Sequence, residues 1–111
     1  KVLIEVPHAN DFLLSSSEDF KQFTLLSEHL ILHTRESLRR ILEYAGFKDI
    51  QIEGVQRYPL SNHFNWLING KPGGHKSYFA ALDSSTLHEN YQNALSRIDS
   101  TDTLVAYAKV P

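Results

Sequence analysis

Cysteine is absent from the 111-residue chain, which excludes disulfides, zinc–thiolate sites and thiol nucleophiles. Methionine is absent as well, and the first residue is Lys1, so the expectation is a segment excised from a longer chain. No stretch approaches the roughly 20 apolar residues of a membrane helix, and no signal-peptide pattern opens the sequence, so no membrane partner is expected. Charge of one sign is lacking too: the formal net charge is −2, and the Lys and Arg residues are scattered rather than striped. That distribution argues against a nucleic-acid surface. There are no repeats and no low-complexity tracts. With 41% hydrophobic residues, the chain suits one modest domain or a piece of one, and a cytoplasmic setting is the plain expectation.

Val2–Val6 is a mostly apolar run ended by Pro7, the pattern of a strand buried on both faces of a parallel sheet. Phe12, Leu13, Phe20 and Phe23 are too apolar for a free linker and are expected to cover a core edge. Thr34 reads as a helix N-cap. Leu38, Ile41, Leu42 and Ala45 follow at the period of one buried helical stripe, and Gly46 stops that helix. Ile50 and Ile52 then alternate with Gln51 and Glu53 in a strand over about 48–58, with Gly54 as a candidate bulge. Leu60, Phe64, Leu67 and Ile68 have helical spacing up to Asn69-Gly70. Thr86 and Glu89 form a candidate capping box before Leu87, Tyr91, Ala94, Leu95 and Ile98. Thr103–Val110 is the closing strand. The connection over about 59–102 carries its own helices and is an ordered insertion.

Six histidines invite a search for chemistry. His29 and His33 are four apart, but no third ligand accompanies them, and His33 reads better as a polar residue beside the helix cap; no metal is expected. Gly70–Ser77 (GKPGGHKS) breaks the phosphate-loop order at His75, so a turn is favoured, with His75 and Lys76 kept as anion-contact candidates. No nucleophile elbow exists for the serines, and Ser84 and Ser85 suit helix capping. The adjacent Glu28 and His29 pair a carboxylate with an imidazole that titrates near neutrality, a combination suited to general-base work.

Residues 1–8 (KVLIEVPH), 27–30 (SEHL), 34–38 (TRESL) and 43–47 (EYAGF) resemble, in order and spacing, the carboxy-terminal half of class I S-adenosylmethionine-dependent methyltransferases. The likeness covers residues 1 to about 58 and the closing strand. Residues 56–60 (QRYPL), Asn62, His63, Trp66, Leu67 and the 70–75 loop resemble a sugar- or polysaccharide-related subgroup. The resemblance implies an α/β fold: a three-stranded fragment of a Rossmann-like sheet, with two parallel strands and an antiparallel last strand inserted beside Val2–Val6. It implies one unit over 1–111, the carboxy-terminal half of a methyltransferase domain with the helical insertion at about 59–102. It further implies that S-adenosylmethionine is bound mainly by residues outside this chain, since the glycine-rich loop and acidic ribose ligand of such sheets belong to their first strands. Carried over by position, Glu28 and His29 become the catalytic pair, and His8, Asn62, His63 and His75 line the acceptor pocket.

The expected function is therefore the acceptor side of a methyltransferase active site, inactive alone, with a small-molecule or sugar-linked acceptor. Two rivals stand beside it: a stand-alone binding module that reuses the half-sheet, and a subunit whose cofactor half is another chain. A bare sheet edge adds the expectation of a homodimer.

Overall fold

Thr103–Lys109 is the strand around which the chain is organised, and four of its side chains, Leu104, Val105, Ala106 and Ala108, are almost wholly buried. A computed structural model describes residues 1–27 and 31–111. In chain order the elements are β1 (Val2–Pro7), α1 (Phe12–Ser16), α2 (Glu18–Ser27), α3 (Arg35–Tyr44), β2 (Lys48–Val55), α4 (Leu60–Asn69), two 3-10 turns (Gly74–Lys76 and Tyr78–Leu82), α5 (Ser85–Arg97) and β3 (Thr103–Lys109). The sheet order is β1-β3-β2.

This sheet corrects the expected Rossmann-like fragment with two parallel strands. Both of its ladders are antiparallel: Ile4 faces Ala106 on one side of β3, and Ile52 faces Ala106 on the other. β3 lies between β1 and β2, so those two strands share no ladder. The parallel pairing among the described residues is a single bridge between His8 and His33, just past the end of β1. The fold is a small α/β arrangement with a wholly antiparallel sheet.

β1 also departs from its expected burial. Its side chains alternate between partly buried and exposed, with Leu3 56% exposed, so it is an edge strand with one wet face rather than a strand buried on both sides. The strand that matches the double burial is β3, with Leu104 and Ala106 buried on one face and Val105 on the other. On the dry face, Ile4, Val6, Leu104, Ala106, Ile50 and Ile52 meet Leu38 and Leu42 of α3, with Phe47 at the margin. The buried stripe of α3 is narrower than its period suggests, since Ile41 is 53% exposed.

Local chemistry sets the element ends. Thr34 caps α3 by accepting from the Ser37 N–H at 3.0 Å, while Ser37 Oγ accepts from the Thr34 N–H at 2.9 Å. Gly46 follows the helix at φ 92°, a left-handed turn that a side chain would strain. The irregularity in β2 lies between Lys48 and Gln51, with Asp49 at φ 52°, and not at Gly54. Gly54 stands in regular register, where a Cβ would come within 2.5 Å of Thr101 Oγ1. The cap of α5 is Ser84, which accepts from the Leu87 N–H at 3.1 Å, in place of the Thr86–Glu89 box. Among the described residues, no helix is long and apolar enough to cross a membrane.

Candidate functional site

Where β1 and β2 end and β3 begins, the backbone leaves the sheet and three segments converge. Pro7 and His8 come from β1, Tyr58 from the exit of β2, and Asp102 and Thr103 from the entry to β3. α1, α2, α4 and the turn after α4 close over that end, leaving a cavity of about 410 Å³. Its wall is aromatic on one side: the rings of Phe20 and Phe23 lie 5.1 and 5.3 Å from that of Trp66, all three lining the space. Tyr58 and His75, with ring centroids 6.2 Å apart, stand on another side. Glu5 lines the cavity too, and its carboxylate is paired with the Arg57 guanidinium.

Beneath this wall the interior is polar. Gln56, 2% exposed, accepts through Oε1 from the Asp102 N–H at 3.0 Å, which fixes the orientation of its amide. Its Nε2 then faces the Tyr58 carbonyl, the Asp102 carboxylate and His63 Nε2 at 2.9, 3.0 and 3.1 Å. Two hydrogens shared among three acceptors leave His63 Nε2 as an acceptor, so its proton sits on Nδ1, which donates to Tyr91 Oη at 2.5 Å. Burial pulls His63 down to about 4, so the ring is neutral at physiological pH. Asp102 takes four donors: the Arg57 and Tyr58 N–H groups, Gln56 and the Thr103 hydroxyl. Burial nonetheless pushes its carboxyl upward, against those hydrogen bonds.

Asp11 is the most unusual group here. It caps α1 by accepting from the Leu13 N–H at 2.9 Å, and that is its one side-chain hydrogen bond among the described residues. It is 5% exposed, and burial pushes it up to about 7, with the Asp102 charge adding to the rise. A carboxyl that titrates near neutrality in a cavity can accept or return a proton at working pH. Asn62 is comparable: it is 4% exposed and lines the cavity, yet its side-chain amide has no hydrogen-bond partner among the described residues.

Of the residues singled out in the sequence, His8, Asn62 and His75 meet in this one cavity. His8 is held by Nδ1 donating to the Thr101 carbonyl at 2.8 Å, and burial lowers its basicity. His63 is not on the lining; both its nitrogens face protein partners and its ring stacks on Phe12 at 5.9 Å, so it positions α4 rather than a ligand. Glu28 and His29, the candidate catalytic pair, lie outside the described residues. His33 stands beside the α3 cap, with Nδ1 3.1 Å from Ser37 Oγ. Among the described residues no three His, Asp or Glu side chains gather as a ligand set for a metal. Lys76 is not on the lining; of the two glycines before it, Gly73 sits at φ 89° with open space around it, and Gly74 answers to packing. A Cβ on Gly74 would come within 2.1 Å of the Ser61 carbonyl of α4.

Asp11, Gln56, Tyr91 and Asp102 were not legible as site residues. The one signal was Asp11 itself, a helix-capping residue type just before an apolar stretch and three residues past His8. The chain matches no known family, no curated protein and no solved structure at a significant level.

Proposed function

We propose that this chain forms the acceptor side of an S-adenosylmethionine-dependent methyltransferase, and that the cavity at the end of the sheet receives a small, sugar-like acceptor. The observation that carries the reading is the meeting of His8, Asn62 and His75 in one aromatic-walled space, with the Asn62 amide still open to a ligand. Aromatic faces suit the C–H faces of a sugar ring, and a few convergent polar groups suit its hydroxyls.

The methyl donor supplies an activated methyl group on a sulfonium. Among the described residues, the carboxylate at the entry to β3 does not fit its ribose. Asp102, the carboxylate at the entry to β3, is occupied by four protein donors and has no free geometry for a ribose diol. The part of this chain is therefore confined to the acceptor. Asn62 and His75 orient it, Trp66, Phe20 and Phe23 exclude water from one flank, and the Asp11 carboxylate takes the proton that the acceptor's nucleophile gives up. Catalysis by the chain alone is not expected. A cytoplasmic setting belongs to the same proposal, since a chain without cysteine draws no stability from an oxidising compartment.

The test is a titration of the 111-residue chain, with backbone amide signals read by NMR and heat by calorimetry. A panel of small sugars should include at least one that shifts Asn62 and His75 saturably, while S-adenosylmethionine should give no saturable heat. A panel without effect on either residue removes the acceptor reading. Micromolar binding of S-adenosylmethionine would move the donor onto this chain.

A further inference from the structure

The cavity has a sign. Its described lining includes Glu5, Asp11 and Asp102 but no Lys or Arg. Glu5 is paired with Arg57, whose charge also reaches Asp102, so Asp11 is the lining carboxylate without a cationic partner among the described residues. Of the histidines on the wall, His8 is held below its ordinary basicity by burial and so adds no positive charge near neutral pH. Anionic ligands such as phosphate esters would enter against this field, and cations along it.

Asp11 shows where a cation would go. The residue is 5% exposed, borders the cavity, and among the described residues its side chain accepts one hydrogen bond, from Leu13, out of the several a carboxylate can accept. A buried carboxylate with so few donors is costly unless something else completes it. Across the same space stand the rings of Trp66, Phe20 and Phe23, whose negative faces attract an ammonium group. Asn62, 4% exposed and on the same lining, adds an amide with no hydrogen-bond partner among the described residues.

We infer that the cavity selects small amines of monosaccharide size or less, whose primary ammonium group ion-pairs with Asp11 while the body of the molecule packs against Trp66 and hydrogen-bonds to Asn62. An amino sugar has all three features. The inference names the acceptor class for the cavity proposed above, and rests on that reading only in taking the cavity as the ligand's place. Binding of the ammonium is independent of methyl transfer.

The experiment compares D-glucosamine, D-glucose, D-glucose 6-phosphate and ethanolamine in NMR titrations of the 111-residue chain at pH 7. Glucosamine should bind about tenfold or more tightly than glucose, and the phosphate should not bind; a tenfold ratio is what one modest charge-assisted contact supplies. Asp11→Asn should abolish that preference, bringing the affinity for glucosamine down to that for glucose. The Asp11 carboxyl carbon, followed through a pH titration of the unaltered chain, gives a readout that survives if the variant fails to fold. Its midpoint should fall by about one unit when glucosamine is saturating, because a neighbouring cation favours the carboxylate. Equal affinities for glucosamine and glucose, tighter binding of the phosphate, or an unmoved Asp11 midpoint would each overturn the inference while leaving a sugar site standing. Ethanolamine binding at Asp11, with no sugar shifting Asn62 or His75, would keep the ammonium site and remove the sugar reading.

Discussion

The two ends of the molecule are held together by different physics. At the sheet, Leu38 and Leu42 of α3 cover Leu104 and Ala106 of β3, an apolar contact with interchangeable partners. At the other end, α4 buries Ser61, Asn62, His63 and Asn65 beside Trp66, and Gln56, Asp102 and Tyr91 complete a polar network around them. Apolar packing tolerates rearrangement at modest cost, whereas each member of a buried polar network needs its own partner. The first region supplies stability. The second fixes side-chain positions, and it is the second that borders the cavity.

Removing a partner from the apolar end should have the largest effect on folding. Leu104 is fully buried on the central strand, so Leu104→Ala should lower unfolding free energy by about 2–5 kcal/mol, measured by urea denaturation. A loss below 1 kcal/mol would mean that the sheet is not the stabilising half.

The polar end should reveal itself through pH, by a compensation. Asp11 rises from 3.8 to about 7 on folding, so its contribution is fully present below pH 3.8 and is lost as pH rises through 7. His63 falls from 6.5 to about 4, so its contribution is fully present above pH 6.5 and is lost as pH falls through 4. Between pH 4 and 6.5 the unfolded chain holds a proton on His63 that the folded chain lacks, and the folded chain holds one on Asp11 that the unfolded chain lacks. The two slopes oppose, and the unaltered chain should be nearly flat across that window relative to its variants. Asp11→Asn should leave the His63 slope exposed, costing about 3 kcal/mol on acidification from pH 6.5 to 4, at about 1.4 kcal/mol per unit. His63→Gln should tilt the profile the other way. Parallel profiles for the two variants would show that neither group titrates as its burial dictates.

How much of this was legible before the structure follows the same division. Thr34, Gly46 and the alternation at Ile50 and Ile52 act through neighbours in sequence, and the structure has the α3 cap, its stop and β2 where those signals lie. The apolar run of β1 misled because apolar content alone does not separate a doubly buried strand from an edge strand with one wet face, as Leu3 and Glu5 show. Periodicity places residues on faces but does not choose between parallel and antiparallel partners; the antiparallel last strand beside β1 was expected from the resemblance alone and is present, whereas the expected parallel pair is not. The network was least accessible. Gln56 and Asp102 are 46 residues apart and His63 and Tyr91 are 28 apart, so nothing local in the sequence joins them.

A single hydroxyl can probe that network. Tyr91 is the partner of His63 Nδ1, and burial raises its phenol to about 12, so it stays protonated at all ordinary pH. Tyr91→Phe keeps the ring that packs edge-on to His63 and removes the acceptor. A buried N–H left without a partner costs about 1–3 kcal/mol, which thermal and urea unfolding would register. Because the network holds α4, the amide signals of Asn62 should move as well. Leu104→Ala should destabilise the chain without shifting them.

The smallest expected effect lies at the mouth of the cavity, where the two regions touch. Glu5 projects from the wet face of β1 and pairs with Arg57 just beyond β2, each about half exposed. An ion pair so placed contributes about 0–1 kcal/mol, since solvent screens it and two long side chains must be ordered to form it. Glu5→Gln should therefore be nearly silent in urea denaturation at 0.15 M salt. It should not be silent in binding: with Glu5 neutral, the Arg57 guanidinium loses its counter-charge beside the cavity, and affinity for D-glucosamine should fall about two- to fivefold while that for D-glucose holds. A variant that loses stability but keeps its ligand preference would reverse the division of labour between the two halves.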